Sequence, residues 1–216
     1  MNRLEVRQLF RQDSPEVTDR VCSDTVLNSW IDLANREAGC AARCIVSNIP
    51  ETFHSVEDLQ YYDLESNIDN FYDIDDVPGG GVFYDDSPLT KTSPAEMNYK
   101  SSQWKSKDSG TPKKWWRRGK FLWFDYAPDT GDLDIEVDCV YIPSDLSTDA
   151  SEIFNGLGHL QPYSEAISKF LQIKAKELLG KYNEATQAMQ HYQKYVAWMK
   201  AQVAGYSQTA IYMRPK

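Results

Sequence analysis

The apolar residues of this chain change their repeat twice. From Ser23 or Asp24 to about Cys44, the residues Val26, Leu27, Trp30, Ile31, Ala34, Ala38, Ala41 and Ala42 recur at three- and four-residue spacing, which predicts a helix with one face on a core. From Phe53 to Ile142 short aromatic and β-branched runs divided by turn residues take over. From Tyr163 the helical spacing returns in Ile167, Phe170, Leu171, Ala175, Leu178 and Leu179. A chain with both periods, segregated along its length, is neither all-α nor all-β. The expectation is an α+β fold, a helical bundle built from N- and C-terminal helices with an inserted antiparallel β-rich lobe. Its parts are expected at 1–50 (helical), 51–143 (β-rich lobe), 144–200 (helical hairpin completing the bundle) and 201–216 (extended tail).

Local signals sharpen the elements. Residues 2–12 read as a helix, closed by Asp13-Ser14-Pro15, and Pro50 ends the second helical stretch. Residues 60–64, 81–84, 121–124 and 135–141 read as strands, the last with clean alternation. Asp129-Thr130-Gly131-Asp132 reads as the turn joining the last two into a hairpin. Gly180 stops one helix and Tyr182 begins the next, with Ala185, Ala188, Met189, Tyr192, Val196 and Met199 on one face.

Charge is the second constraint. The net charge is −9, which argues against a main role in gripping phosphate backbones. It is distributed in blocks: −11 over 51–90, +7 over 91–120, −9 over 121–163 and +5 over 164–216. Such blocks either neutralise one another within the subunit or face opposite blocks on a neighbour. No apolar run is long enough to span a membrane, and MNRLEVRQLF has no apolar core of a signal peptide. Cys22, Cys40, Cys44 and Cys139 are accordingly read as reduced, partly buried thiols.

Motifs of catalysis fail one by one. His54, His159 and His191 are scattered, and none has zinc-ligand spacing around it. Gly79-Gly80-Gly81 lacks the Lys-Ser/Thr of a phosphate loop. Asp125, Asp129, Asp132 and Asp134 depart from the alternate-residue pattern of a calcium loop. No catalytic residue, cofactor or metal is expected, and the chain is not read as an enzyme. Lys113-Lys114-Trp115-Trp116-Arg117-Arg118 has three open readings: a nucleic-acid site, an inter-subunit or partner contact, or an ordinary edge strand. Val203, Tyr206, Ile211, Tyr212 and Met213, followed by Arg214 and Lys216, make the terminus more apolar and aromatic than a disposable tail. It either folds back on its own or a neighbouring subunit, or anchors on a partner.

Taken in order, several short motifs resemble the head-to-tail connector proteins of tailed bacteriophages, the adaptor or head-completion proteins of the tail tubular type. They are Tyr61-Tyr62-Asp63-Leu64, Gly110-Thr111-Pro112, Ala127-Pro128-Asp129, the Tyr141, Pro143 and Leu146 set, and the run from Leu179 to Ala185. The resemblance covers roughly residues 2–200 and departs in the Asp-rich stretch 63–86. It implies a non-enzymatic structural virion protein at the neck, made in the host bacterial cytoplasm. It implies a homo-oligomeric ring, usually of twelve subunits, beneath the portal. The ring would extend the DNA channel, pass double-stranded DNA without sequence-specific binding, and dock the next neck or tail protein, a nozzle or stopper. The terminal residues Tyr206 to Arg214 would then order on the portal. Two other readings stand beside it: a tetratricopeptide-like scaffold, suggested by Gly180, Tyr182 and Ala185, and a host-binding β module, suggested by six Trp. No membrane partner is expected.

Overall fold

Asn2 opens the first helix because its side chain and that of Glu5 satisfy each other's backbone N–H groups, a complete capping box. The computed structural model describes residues 1–47, 49–76, 81–100 and 109–211. The chain divides into two units, Val46–Tyr141 and the pair Met1–Ile45 with Ile142–Lys216. The fold is α+β.

In the helical unit, α1 (Arg3–Asp13) buries Val6 and Phe10. Its Arg3, Arg7 and Arg11 lie four residues apart along one face and tie down loops. Arg3 and Arg7 both hold Asp149, and Arg11 holds Asp19 and Asp24. Helix α2 (Asp24–Ala42) starts at the N-cap Ser23 and ends at Arg43 in the left-handed conformation, φ 54°. Its buried face carries Leu27, Ile31, Ala34 and Ala38, while Val26 and Ala41 from the expected stripe are exposed. Gly39 on that face cannot carry a side chain, since a Cβ there would lie 2.3 Å from Pro143 Cγ.

Residues 153–164 form two short 3-10 segments. Phe154, Asn155 and Gly156 all have positive φ (50°, 54° and 72°). The fully buried Asn35 of α2 stabilises that turn by accepting the Phe154 N–H at 2.8 Å and donating to the Ser144 carbonyl. Helix α5 (Glu165–Leu178) then ends in a Schellman motif: Lys181 N–H bonds the Lys176 carbonyl, Gly180 N–H bonds that of Glu177, and Gly180 takes φ 71°. Helix α6 (Tyr182–Ile211) follows, antiparallel to α5. It continues through 201–211, where the sequence predicts an extended tail; residues 212–216 lie outside the described residues. Thirty residues make α6 about 45 Å long, against about 21 Å for the 14 of α5.

Asp32 of α2 is the one carboxylate in this unit with a buried oxygen lacking a hydrogen-bond partner among the described residues. Burial pushes its carboxyl up; Arg3 counters this, Asp145 adds to it, and Arg36 counters it again. A carboxyl whose folded pKa exceeds its unfolded value costs stability as pH rises through that window, from about 4 upward. Asp32→Asn should therefore raise the melting temperature at pH 7 and leave it nearly unchanged at pH 3.5, as checked by scanning calorimetry at both values. An equal effect at both would mean that the carboxylate charge is not the cause.

In the β unit, β1 (Glu51–His54), β9 (Asp134–Val137), β4 (Val82–Tyr84) and the two-residue β5 (Ser87–Pro88) form one antiparallel sheet in that order. A second sheet runs β2 (Tyr61–Asp63), β8 (Phe121–Phe124), β7 (Lys114–Arg118) and β6 (Thr90–Lys91), with β6 parallel to β7. A separate pair joins β3 (Phe71–Ile74) to β10 (Cys139–Tyr141). The inward residues Phe53, Tyr62, Val82, Tyr84, Trp115, Leu122, Phe124, Ile135 and Val137 make one core. Short helices α3 (Leu64–Asn67) and α4 (Pro94–Lys100) complete the unit.

Two sequence expectations are corrected here. The turn at 129–132 does not close a hairpin: β8 pairs with β2 and β7, and β9 pairs with β1 and β4 in the other sheet. The expected strand 135–141 is broken at Asp138, which is buried and accepts the Gly81 N–H at 3.1 Å, so its two halves serve different sheets.

Candidate assembly surfaces

Five of the six residues of the basic-aromatic run, Lys114–Arg118, form strand β7, which lies inside its sheet between β8 and β6. Two consecutive tryptophans on a strand point to opposite faces, and here both faces are covered. Trp115 is 2% exposed in the main core, and Trp116 is 3% exposed beneath Met97 of α4 and stacked on Trp123 at 6.2 Å. Neither ring is available as a stacking platform for bases.

Four of the six cations in 91–120 whose side chains are described have partners in the same unit. Lys91 pairs with Asp76, Lys114 with Glu96 at 3.4 Å, Arg117 with Asp73, and Lys120 with Asp63 at 2.6 Å. Lys91 and Arg117 also lie over the rings of Trp115 and Phe71, at 5.5 and 4.9 Å. The pairing with Lys120 holds the Asp63 carboxyl below its usual range. Of the six residues, Lys113 and Arg118 alone combine an exposed side chain with no ion pair among the described residues. These four cations therefore neutralise carboxylates of their own subunit.

The remaining groups singled out by chemistry are structural where they are described. Asp125 turns inward and accepts the backbone N–H groups of Lys113 and Lys114, both at 2.9 Å, fixing the start of β7. No group of three or more metal-ligating side chains occurs among the described residues. The four cysteines are free, and burial pushes the Cys44 and Cys139 thiols up to about 12, which keeps them neutral. The exposed His54 side chain sits beside Asp134 at 3.0 Å. Gly79 and Gly80 lie outside the described residues.

The C-terminal candidates sit on a different element from the one expected. Tyr206 and Ile211 belong to the backbone of α6, and Tyr212, Met213 and Arg214 lie outside the described residues. The Tyr195 hydroxyl bonds Glu165, the first residue of α5, so α6 continues beyond the start of its antiparallel neighbour. Met199 is the last fully buried side chain described along it. Past Met199 the helix continues to Ile211 as an extension.

The exposed Trp198 escaped the sequence reading. Trp198 is 57% exposed, set edge-on against Tyr195 with ring centroids 5.5 Å apart. The available signal was that Trp198 falls off the stripe of Ala185, Ala188 and Met199 that packs inward.

The model of a family described as SU10 adaptor protein matches residues 1–215, nearly the whole chain. No curated protein matches it.

Proposed function

The chain belongs to the SU10 adaptor protein family, a family of phage head–tail adaptors with a structural rather than an enzymatic role, and from that premise we propose how it assembles. It forms a homo-oligomeric ring of twelve copies beneath the portal, at the neck of the virion, and is made in the bacterial cytoplasm. The ring continues the DNA channel and receives the next neck or tail protein. The observation that carries this reading is the family match over 1–215. The net charge of −9 supports it, because a net-acidic bore lets DNA slide where a basic one would grip. No described helix is long and apolar enough to cross a membrane.

The end of α6 and the residues after it, Tyr206 and Ile211 with Tyr212, Met213 and Arg214, anchor the subunit on the portal. A helical extension suits this, since α6 continues past the start of α5 and carries the terminus beyond the packed helices. Weak anchors repeated around a ring add through high effective concentration. Truncation after Gln202 should leave a folded chain, because Met199 and the packed part of α6 are kept, and should abolish co-sedimentation with portal rings. Retained binding by the truncated chain would move the anchor elsewhere.

Lys113 and Arg118 contact a neighbouring subunit or the next protein of the neck. Replacing both by Glu should weaken ring assembly on portal at unchanged melting temperature, because neither has a partner to lose among the described residues. Early melting with normal assembly would mark them as part of the intrasubunit charge balance.

A further inference from the structure

Resting on the ring reading above, we propose which surfaces join neighbouring copies: the basic, Trp198-centred face of α6 on one copy seats against an acidic, Val56-centred apex of the β unit on the next. Each surface sets an exposed apolar group beside charge, positive from Lys194 on α6 and negative from Glu57, Asp129 and Asp132 on the β unit.

On α6, His191, Lys194 and Trp198 fall at i, i+3 and i+7, one face of the helix. All three are exposed, and Lys194 has no ion pair among the described residues. From Ala185 to Lys216 the sequence has no Asp or Glu, so nothing on this helix beyond its first turn offsets Lys194. The Trp198 ring is held by its edge-on contact with Tyr195, whose hydroxyl is in turn fixed by Glu165. An exposed indole that is already ordered loses little freedom on binding, as interface anchors require.

The apex belongs to the β unit. Val56 is 54% exposed on the turn after β1. Backbone bonds lace this turn to 128–132: Asp58 N–H to the Pro128 carbonyl at 3.0 Å, and Asp132 N–H to the Ser55 carbonyl at 2.9 Å. The Ser55 hydroxyl adds a third bond, to the Thr130 carbonyl at 3.2 Å. The lacing brings Glu57, Asp58, Asp129 and Asp132 together beside Val56, and no Lys or Arg pairs with Glu57, Asp129 or Asp132 among the described residues. Residues 46–141 hold nineteen Asp and Glu against nine Lys and Arg, net −10, and the rest of the chain is +1. Lys91, Lys114, Arg117 and Lys120 are engaged by Asp76, Glu96, Asp73 and Asp63, and none of the four pairs with a carboxylate of the apex.

The occupant is set by complementarity. Either surface facing its own copy would set like charges together, so a symmetric dimer through one patch is disfavoured. Two different complementary patches on one chain form a heterologous contact, which closes into a ring when the rotation allows.

The test uses the full chain in three forms: Lys194→Glu, the pair Asp129→Lys with Asp132→Lys, and Trp198→Ala. Sedimentation velocity and native mass spectrometry at low salt should show each form self-associating about tenfold or more weaker than wild type, at unchanged melting temperature. Mixing the Lys194→Glu form with the Asp129→Lys, Asp132→Lys form should restore association, because the two reversed faces then match each other. If Trp198→Ala fails to fold, the exposed Lys194→Glu form decides. Assembly of all forms like wild type overturns this contact and leaves the ring reading standing. A wild-type chain that stays monomeric with and without portal overturns both. Loss of double-stranded DNA retention by Lys194→Glu with normal assembly also overturns the contact, assigning the face to nucleic acid.

Discussion

Phe124→Ala should lower the unfolding free energy by about 3–5 kcal/mol, the loss expected when a buried phenylalanine is cut to alanine. Phe124 is fully buried in β8, with the rings of Tyr62 and Tyr84 at 5.6 and 6.1 Å. Its backbone is held from both sides by Gln60, whose carbonyl accepts the Phe124 N–H and whose side-chain amide donates to the Phe124 carbonyl, each at 3.0 Å. With the strand fixed, the surroundings collapse poorly into the space left by the ring, so the cavity penalty remains in full. Urea unfolding followed by near-ultraviolet circular dichroism measures the loss. Phe121→Ala, three residues earlier on the half-exposed face, should cost clearly less. Equal costs at the two positions would mean that the core is not where the β unit draws its stability.

Asn35→Ala should cost about 1–3 kcal/mol, the penalty for leaving a buried donor without an acceptor. Asn35 is fully buried on the inner face of α2, a place where helical patterning calls for an apolar residue. It is there because Phe154 folds in the left-handed region, which turns the Phe154 N–H away from any helical or strand partner and toward the amide oxygen of Asn35. Chemical denaturation gives the global loss. Hydrogen exchange at the Phe154 amide gives the local one, and its protection should fall further than that of the α5 core amides. Unchanged exchange at Phe154 would show that another group satisfies this turn.

Helix starts and stops were legible because they depend on neighbours in sequence. Ser23 caps α2 through a residue three positions away, and Gly180 ends α5 through bonds to Glu177 and by Lys181 to Lys176. The end of α6 was not legible. Residues 203–211 have no sustained apolar period, yet a helix already formed extends at low cost per residue, so the backbone continues to Ile211. The candidate surfaces were legible in composition and not in geometry. Five of the six residues with the composition of a nucleic-acid site became an interior strand once Met97 and α4 covered the outward tryptophan.

By itself the sequence determined the α+β class, the order of helical and β segments and the alternation of charge along the chain, together with the motifs that resemble phage connectors. All of these are set by residue identity and by spacings of a few positions. Only the tertiary structure decided which strands pair, because Asp129 to Asp132 make a good turn whether β9 returns to β8 or crosses to β1 and β4. It also decided which charges are used internally and which are left exposed. Lys114 and Lys113 are neighbours of the same kind, but the first reaches Glu96 and the second reaches nothing among the described residues, a difference set by groups brought close in space and distant in sequence.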